Sequence, residues 1–126
     1  MPENRVLVCV TGQLQCARLI RKGRELADEQ GAKLLVLHVR THQKTLMGSP
    51  DITAVLNQLY AEARDADAEM EIITSPDVEK TITDFVRTQQ VSSIVIGASP
   101  RDARPPMGDR LQALMPDLQI ITVREA

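Results

Sequence analysis

The sequence predicts an α/β domain built on a doubly wound, five-stranded parallel sheet with strand order 3-2-1-4-5. Three observations carry this expectation. Strand-like and helix-like patterns alternate along the whole chain with short connections, which calls for parallel strands joined by right-handed crossovers. Three runs, VLVCV at 6–10, KLLVLHV at 33–39 and SSIVIG at 92–97, are almost continuously apolar, as strands covered by helices on both faces are. The runs EMEIIT at 69–74 and QIITV at 119–123 look less thoroughly buried, so they belong at the two edges.

The elements follow in order. Residues 5–10 form a strand ended by Thr11-Gly12. A helix over 13–30 places Cys16, Leu19, Ile20, Gly23, Leu26 and Ala27 on one stripe, with Arg18, Arg21, Lys22, Glu25 and Asp28 opposite, and Gly31 suits its C-terminal cap. After the strand at 33–39 and a loop at 40–48, Ser49 supplies an N-cap, Pro50 the first helical position and Asp51 a charge suited to the dipole. That helix runs through about Asp67, with the stripe Ile52, Val55, Leu56, Leu59, Tyr60 and Ala63. Following the strand at 69–74, Ser75-Pro76-Asp77 repeats the same cap, first-turn and dipole signals for a helix to about Gln90 that buries Val78, Ile82, Phe85 and Val86. The strand at 92–97, a short helix at 107–115 with the stripe Met107, Leu111, Leu114 and Met115, and a last strand at 118–123 complete the chain.

Composition bounds the rest. A chain of 126 residues fits one domain, 1–126, with one working core. Tyr60 and Phe85 are its only aromatics, so packing rests on aliphatic side chains. Fifteen basic residues against 17 acidic ones leave no electrostatic footprint for nucleic acid or for an anionic membrane. Cys9 and Cys16 read as small buried hydrophobes of a reducing compartment, because structural zinc needs four ligands at close spacings. With no signal-peptide pattern and no membrane-length apolar run, the expected location is the cytoplasm. His38 reads as a satisfied strand histidine and His42 as a solvent-exposed loop residue, so no metal site is expected.

In the order 3-2-1-4-5 the winding direction reverses between the first and fourth strands, and open α/β sheets bind ligands in the crevice beyond the strand ends at such a point. Its expected lining is Thr11, Gly12 and Gln13 after the first strand, Val39, Arg40 and Thr41 after the second, and the GASPRDARPP loop, including Gly97, Ala98, Ser99 and Arg101, after the fourth. Several chemistries fail on their residues. No Gly-Lys pair supports a P-loop, Gly12 stands alone where a dinucleotide fingerprint needs three glycines, no acids close the first and third strands, and no G-x-S-x-G elbow serves the histidines. No catalytic residues are expected. Arg40, Arg101, Arg104 and Arg110 either gather into an anion pocket or form a solvated loop compensated by Asp102 and Asp109.

With this sheet order, the LLVLHV second strand and the SIVIGAS fourth strand make the chain resemble a universal stress protein domain, a Rossmann-like fold of the adenine nucleotide alpha hydrolase type. In the family's ATP-binding members an Asp follows the first strand, and a Gly-x-x-Gly and later Gly-Ser/Thr pattern follows the fourth to hold ribose and phosphates. Here Thr11 stands at the Asp position, Gly97 matches the first glycine, Pro100 replaces the second, and Gly108-Asp109 replaces Gly-Ser/Thr at shorter spacing. Pro100 has no N–H for a phosphate, and Asp109 would repel one. VLVCVTG followed by RLIRKGRELA, together with GDRLQALMPDLQIITV, resembles most closely the universal-stress-like module of bacterial Kdp potassium-sensor histidine kinases.

That resemblance implies a non-enzymatic regulatory or sensory module of stress or potassium signalling that binds a partner, such as a sensor kinase, or a small anionic ligand, with no cofactor. The competing expectation is a universal stress protein that binds ATP or another adenine nucleotide and hydrolyses it slowly. Met-Pro-Glu at the start and a tidy last strand favour a stand-alone protein over an excised fragment. The apolar edge at Leu118 to Val123 suggests a homodimer across the last strand.

Overall fold

The computed structural model describes residues 4–10, 17–40, 50–97 and 107–123. Its elements are β1 (Arg5–Val10), α1 (Ala17–Gln30), β2 (Lys33–Arg40), α2 (Pro50–Asp65), β3 (Glu69–Thr74), α3 (Val78–Gln89), β4 (Ser93–Gly97), α4 (Met107–Leu114) and β5 (Gln119–Val123). The strands form one sheet in the order β3-β2-β1-β4-β5, and every neighbouring pair is parallel. No described helix is long and apolar enough to cross a membrane.

Two aliphatic layers follow from the alternation of side chains along each strand. Val6, Val8 and Val10 of β1, with Leu34 and Val36 of β2, meet Leu19, Ile20, Leu26 and Ala27 of α1 and Leu59 and Ala63 of α2. The intervening residues Leu7, Leu35 and Leu37, with Ile94 and Ile96 of β4, meet Ile82, Phe85 and Val86 of α3, Leu111 of α4 and Met115 just after it. The continuous apolar runs are therefore the strands sandwiched between both layers, and Val6, Leu7 and Val8 are wholly buried in succession. By contrast β3 and β5 expose part of every second or third residue, as edges do.

Gly23 brings α1 hard against the sheet. A Cβ at this position would overlap Val8 Cγ2 and lie 3.0 Å from Leu34 Cδ1, so the absent side chain is what allows this close approach.

The first three helices stop in the same way. Gly31, Asp67 and Gln90 adopt positive φ of 61°, 56° and 55°. The next residue then donates back across the turn in each case: Ala32 N–H to Ala27 O at 2.8 Å, Ala68 N–H to Ala63 O at 2.8 Å, and Val91 N–H to Val86 O at 3.0 Å. This is the six-to-one bond of a Schellman ending. Consequently α2 stops at Asp65 and α3 at Gln89, one or two residues before the ends expected from periodicity.

Side chains close the amino end of the sheet. Arg5 Nη1 donates to Gln89 O at 2.8 Å and Ser92 Oγ to Arg5 O at 3.0 Å. Gln30 Nε2 donates to Ser93 Oγ at 3.3 Å and to Gln119 Oε1 at 3.2 Å, while Ser93 Oγ donates to Gln119 Oε1 at 2.8 Å. Strands β1, β4 and β5 and the end of α1 are thus tied together by the Arg5 guanidinium and by neutral hydroxyl, amide and carbonyl groups that satisfy one another.

Three local expectations are corrected. Asp77, not Ser75, caps α3: its carboxylate accepts the Lys80 N–H at 3.1 Å, whereas Ser75 Oγ accepts the Asp77 N–H at 3.2 Å and shapes the preceding turn. Tyr60 is 53% exposed rather than part of the α2 stripe, because Leu59 and Ala63, one turn apart, define the seam and Tyr60 falls on its flank. Leu114 is likewise 50% exposed, displaced by the Leu111 and Met115 pair. The side chains of Cys16, Ile52, Val55 and Met107, and Ser49 as a cap, lie outside what is described.

Candidate functional site

The winding reverses at β1 and β4. Strand β1 pairs with β2 on one side and with β4 on the other, with Val8 opposite both Val36 and Val95. From β1 the chain proceeds outward through β2 to β3, and from β4 outward to β5. The helices that follow β1 and β4, α1 and α4, therefore pack on opposite faces of the sheet, the arrangement in which open α/β sheets bind ligands beyond the carboxyl ends of the strands.

Of the expected lining, the structure brings Val39 and Arg40 to the end of β2, Gly97 to the end of β4, and Gly108 and Asp109 to the first turn of α4, all at the carboxyl end of the sheet. Thr11, Gly12, Gln13, Thr41, Ala98, Ser99, Arg101 and Arg104 lie outside the described residues. Val39 is half-buried against the α3 and α4 layer.

The two described glycines differ in what they are for. At Gly108 a Cβ would lie 3.3 Å from both Ile96 Cδ1 and Thr122 Oγ1, so packing of α4 onto β4 and β5 is enough to account for the residue. At Gly97, which is exposed, a Cβ would meet, among the described residues, only Leu19 Cδ1 at an ordinary 3.6 Å. Among the described residues, packing does not demand a glycine there.

Charge at the α4 terminus opposes anions. Asp109 is exposed in the first helical turn, so its carboxylate already occupies the favourable end of the dipole. Arg110 turns instead toward α3, with Nε 2.8 Å from Glu79 Oε1, although the N–H is not aligned with an acceptor. Its partner among the described residues is therefore Glu79, not the expected Asp109, and Asp102 lies outside the described residues. No sequence pattern signals a pairing between two different helices so far apart in the chain.

His38 lies near the carboxyl end of β2. It is 7% exposed, and its Nδ1 lies 3.0 Å from Val10 O. A carbonyl can only accept, so Nδ1 carries the proton. This is the satisfied strand histidine expected, and its place beside the last carbonyl of β1 was legible in retrospect from its parity with Leu34 and Val36. His42 lies outside the described residues.

Nucleophilic and metal chemistry find no footing among the described residues. Burial pushes the Cys9 thiol up to about 12, which keeps it protonated and unreactive. No group of three or more His, Cys, Asp or Glu side chains is placed to hold a metal ion among the described residues.

Comparison with known proteins adds to this geometry. Residues 3–108 match the profile of the universal stress protein family. The sensor protein KdpD of Mycobacterium tuberculosis is 30% identical over 100 residues, which is 79% of this chain but 11% of KdpD. A universal stress protein solved in complex with cAMP superimposes with a TM-score of 0.74 over all of both chains at 16% identity. The universal stress protein from Archaeoglobus fulgidus in complex with dAMP gives 0.67 at 21% identity, covering 97% of this chain and 98% of that one.

Proposed function

The chain belongs to the universal stress protein family, and on that premise we propose that it is a non-enzymatic regulatory module whose crevice takes a small ligand and whose surface passes the occupancy to a partner protein. The observation that carries this reading is the contrast at the carboxyl end: among the described residues packing does not demand the glycine at Gly97, while Asp109 puts a negative charge in the first turn of α4. An adenine nucleotide with a single phosphate suits that contrast better than ATP, because each added phosphate charge meets the same carboxylate. Structural neighbours solved with cAMP and dAMP support the class of ligand.

Kinship with a sensor protein supports a signalling output, in stress or potassium response, toward a sensor kinase or a comparable partner. The chain spans only 11% of that relative, so the output is assigned by analogy. A homodimer across β5 fits the same picture. That edge, QIITV, carries no charge, and a two-fold pairing would satisfy its open backbone groups.

Native mass spectrometry of the purified protein, then calorimetric titration with AMP, cAMP and ATP, tests the proposal. AMP or cAMP binding more tightly than ATP, without turnover, and a dimer mass are the expected results. Tighter ATP binding with hydrolysis would replace this reading with that of a nucleotide-hydrolysing universal stress protein, which Gly97, retained at the first glycine of the ATP-binding pattern, favours.

A further inference from the structure

The two edges of the sheet are chemically unlike. On β5 the residues Gln119 to Val123 are uncharged, whereas β3 carries Glu69 and Glu71, both exposed. Strand parity separates the faces of β3. Ile73 packs into the α3 and α4 layer, so Glu69 and Glu71 project on that side. Met70 packs into the α1 and α2 layer, and Ile72, 44% exposed, projects there too.

Two open grooves flank this strand and share Glu71. One, of about 370 Å³, runs beneath Tyr60 and Arg64 of α2 along Ala68 to Glu71. The other, of about 440 Å³, has Ile73 and Phe85 at its floor and Glu71 and Asp84 at its rim. Tyr60 and Ile72, two of the three large exposed hydrophobics among the described residues, stand on the same side of this edge. Among the described residues, none of Glu69, Glu71 and Asp84 enters an ion pair.

From this arrangement we infer that the β3 edge is a docking surface for an extended segment of a partner protein, added as a sixth strand, in which basic residues alternate with apolar ones. Open backbone N–H and C=O groups supply the pairing. Basic side chains of the segment face Glu69, Glu71 and Asp84, and its apolar side chains lie beside Met70, Ile72 and Tyr60, with the period of two that a strand imposes. A second copy of this chain does not fit, because two-fold pairing of β3 brings Glu69 and Glu71 close to their own copies. The inference is independent of the crevice and of any nucleotide.

Fluorescence anisotropy with a labelled nonapeptide that alternates lysine with valine and threonine tests it. The expected result is saturable binding that weakens about tenfold in the Glu69→Lys/Glu71→Lys protein, as two cross-strand charge pairs become repulsive. Both residues are exposed, so circular dichroism should show the variant folded. The same peptide N-methylated at alternate residues must lose binding, because strand addition needs its backbone donors. Absence of binding, equal binding of a peptide with the same residues in blocked order, tolerance of N-methylation, or indifference to the double substitution would each overturn the inference.

Discussion

His38 donates its Nδ1 proton to the carbonyl oxygen of Val10 at 3.0 Å, across the last register pair of β1 and β2. That carbonyl is the final one of β1, so the imidazole pins the carboxyl end of β1 to β2. His38→Leu keeps the bulk and removes the donor. It should cost about 1 to 2 kcal/mol, the range for leaving a buried acceptor unpaired, as read by urea denaturation. AMP affinity should fall in parallel, and a variant with unchanged stability would show that the bond is dispensable.

Gly97→Ala separates ligand binding from folding. Among the described residues the added Cβ meets only Leu19 at 3.6 Å, so thermal stability should change by less than about 0.5 kcal/mol, as for other substitutions away from tight packing. Titration with AMP should nonetheless weaken. Asp109→Ser should act in the opposite sense and raise ATP affinity severalfold by removing a like charge from the helix terminus.

Gly23→Ala is expected to be among the most damaging single changes. Helix propensity favours alanine by about 1 kcal/mol, but the overlap with Val8 and the 3.0 Å approach to Leu34 place the substitution among overpacked cores, which lose about 1 to 3 kcal/mol or more. Denaturant unfolding of Gly23→Ala, Val8→Ala and the double variant should give a favourable coupling, since trimming Val8 makes room for the new methyl.

At the helix ends, Gly31→Ala isolates the cost of a left-handed residue, because nothing lies within 4 Å of the added Cβ. A loss of about 1 kcal/mol is expected. Gln90 occupies the same conformation with a side chain, so Gln90→Gly should stabilise the protein by about 0.5 to 1 kcal/mol.

Cys9 predicts an alkaline weakness. Its thiol is raised from 9.0 to about 12 by burial, so the unfolded chain releases its proton at a lower pH than the folded one. The stabilising contribution is complete below pH 9 and is lost as pH rises from 9 toward 12. In a Cys16→Ser background, the stability of the protein should fall over that window and the fall should shrink in Cys9→Ala. A thiol reagent at pH 8 should label Cys9 only as fast as the protein opens.

How far the sequence carried these conclusions depends on the range of the interactions involved. Continuous runs such as KLLVLHV report burial on both faces directly, which is why the sheet order was legible. Stripe positions were legible only to within one residue: Leu59 and Tyr60 are adjacent, and packing alone decided that Leu59 turned inward. At the start of α3 both Ser75 and Asp77 have capping chemistry, and the choice fell to whichever oxygen reached the Lys80 N–H. Glu79 and Arg110 meet across two helices, a contact with no local signature. The crevice was located by the winding of the sheet, whereas the different reasons for Gly97 and Gly108 emerge only from the atoms around them.

Because all five strands are parallel, the chain enters the sheet at the end sealed by Arg5, Gln30, Ser93 and Gln119 and leaves it, after Val123, at the crevice end. The two attachment points are thus separated by the full length of the strands and face in opposite directions. Asn4 and Val123 therefore mark opposite poles of the domain, one at the amino ends of the strands and the other at their carboxyl ends.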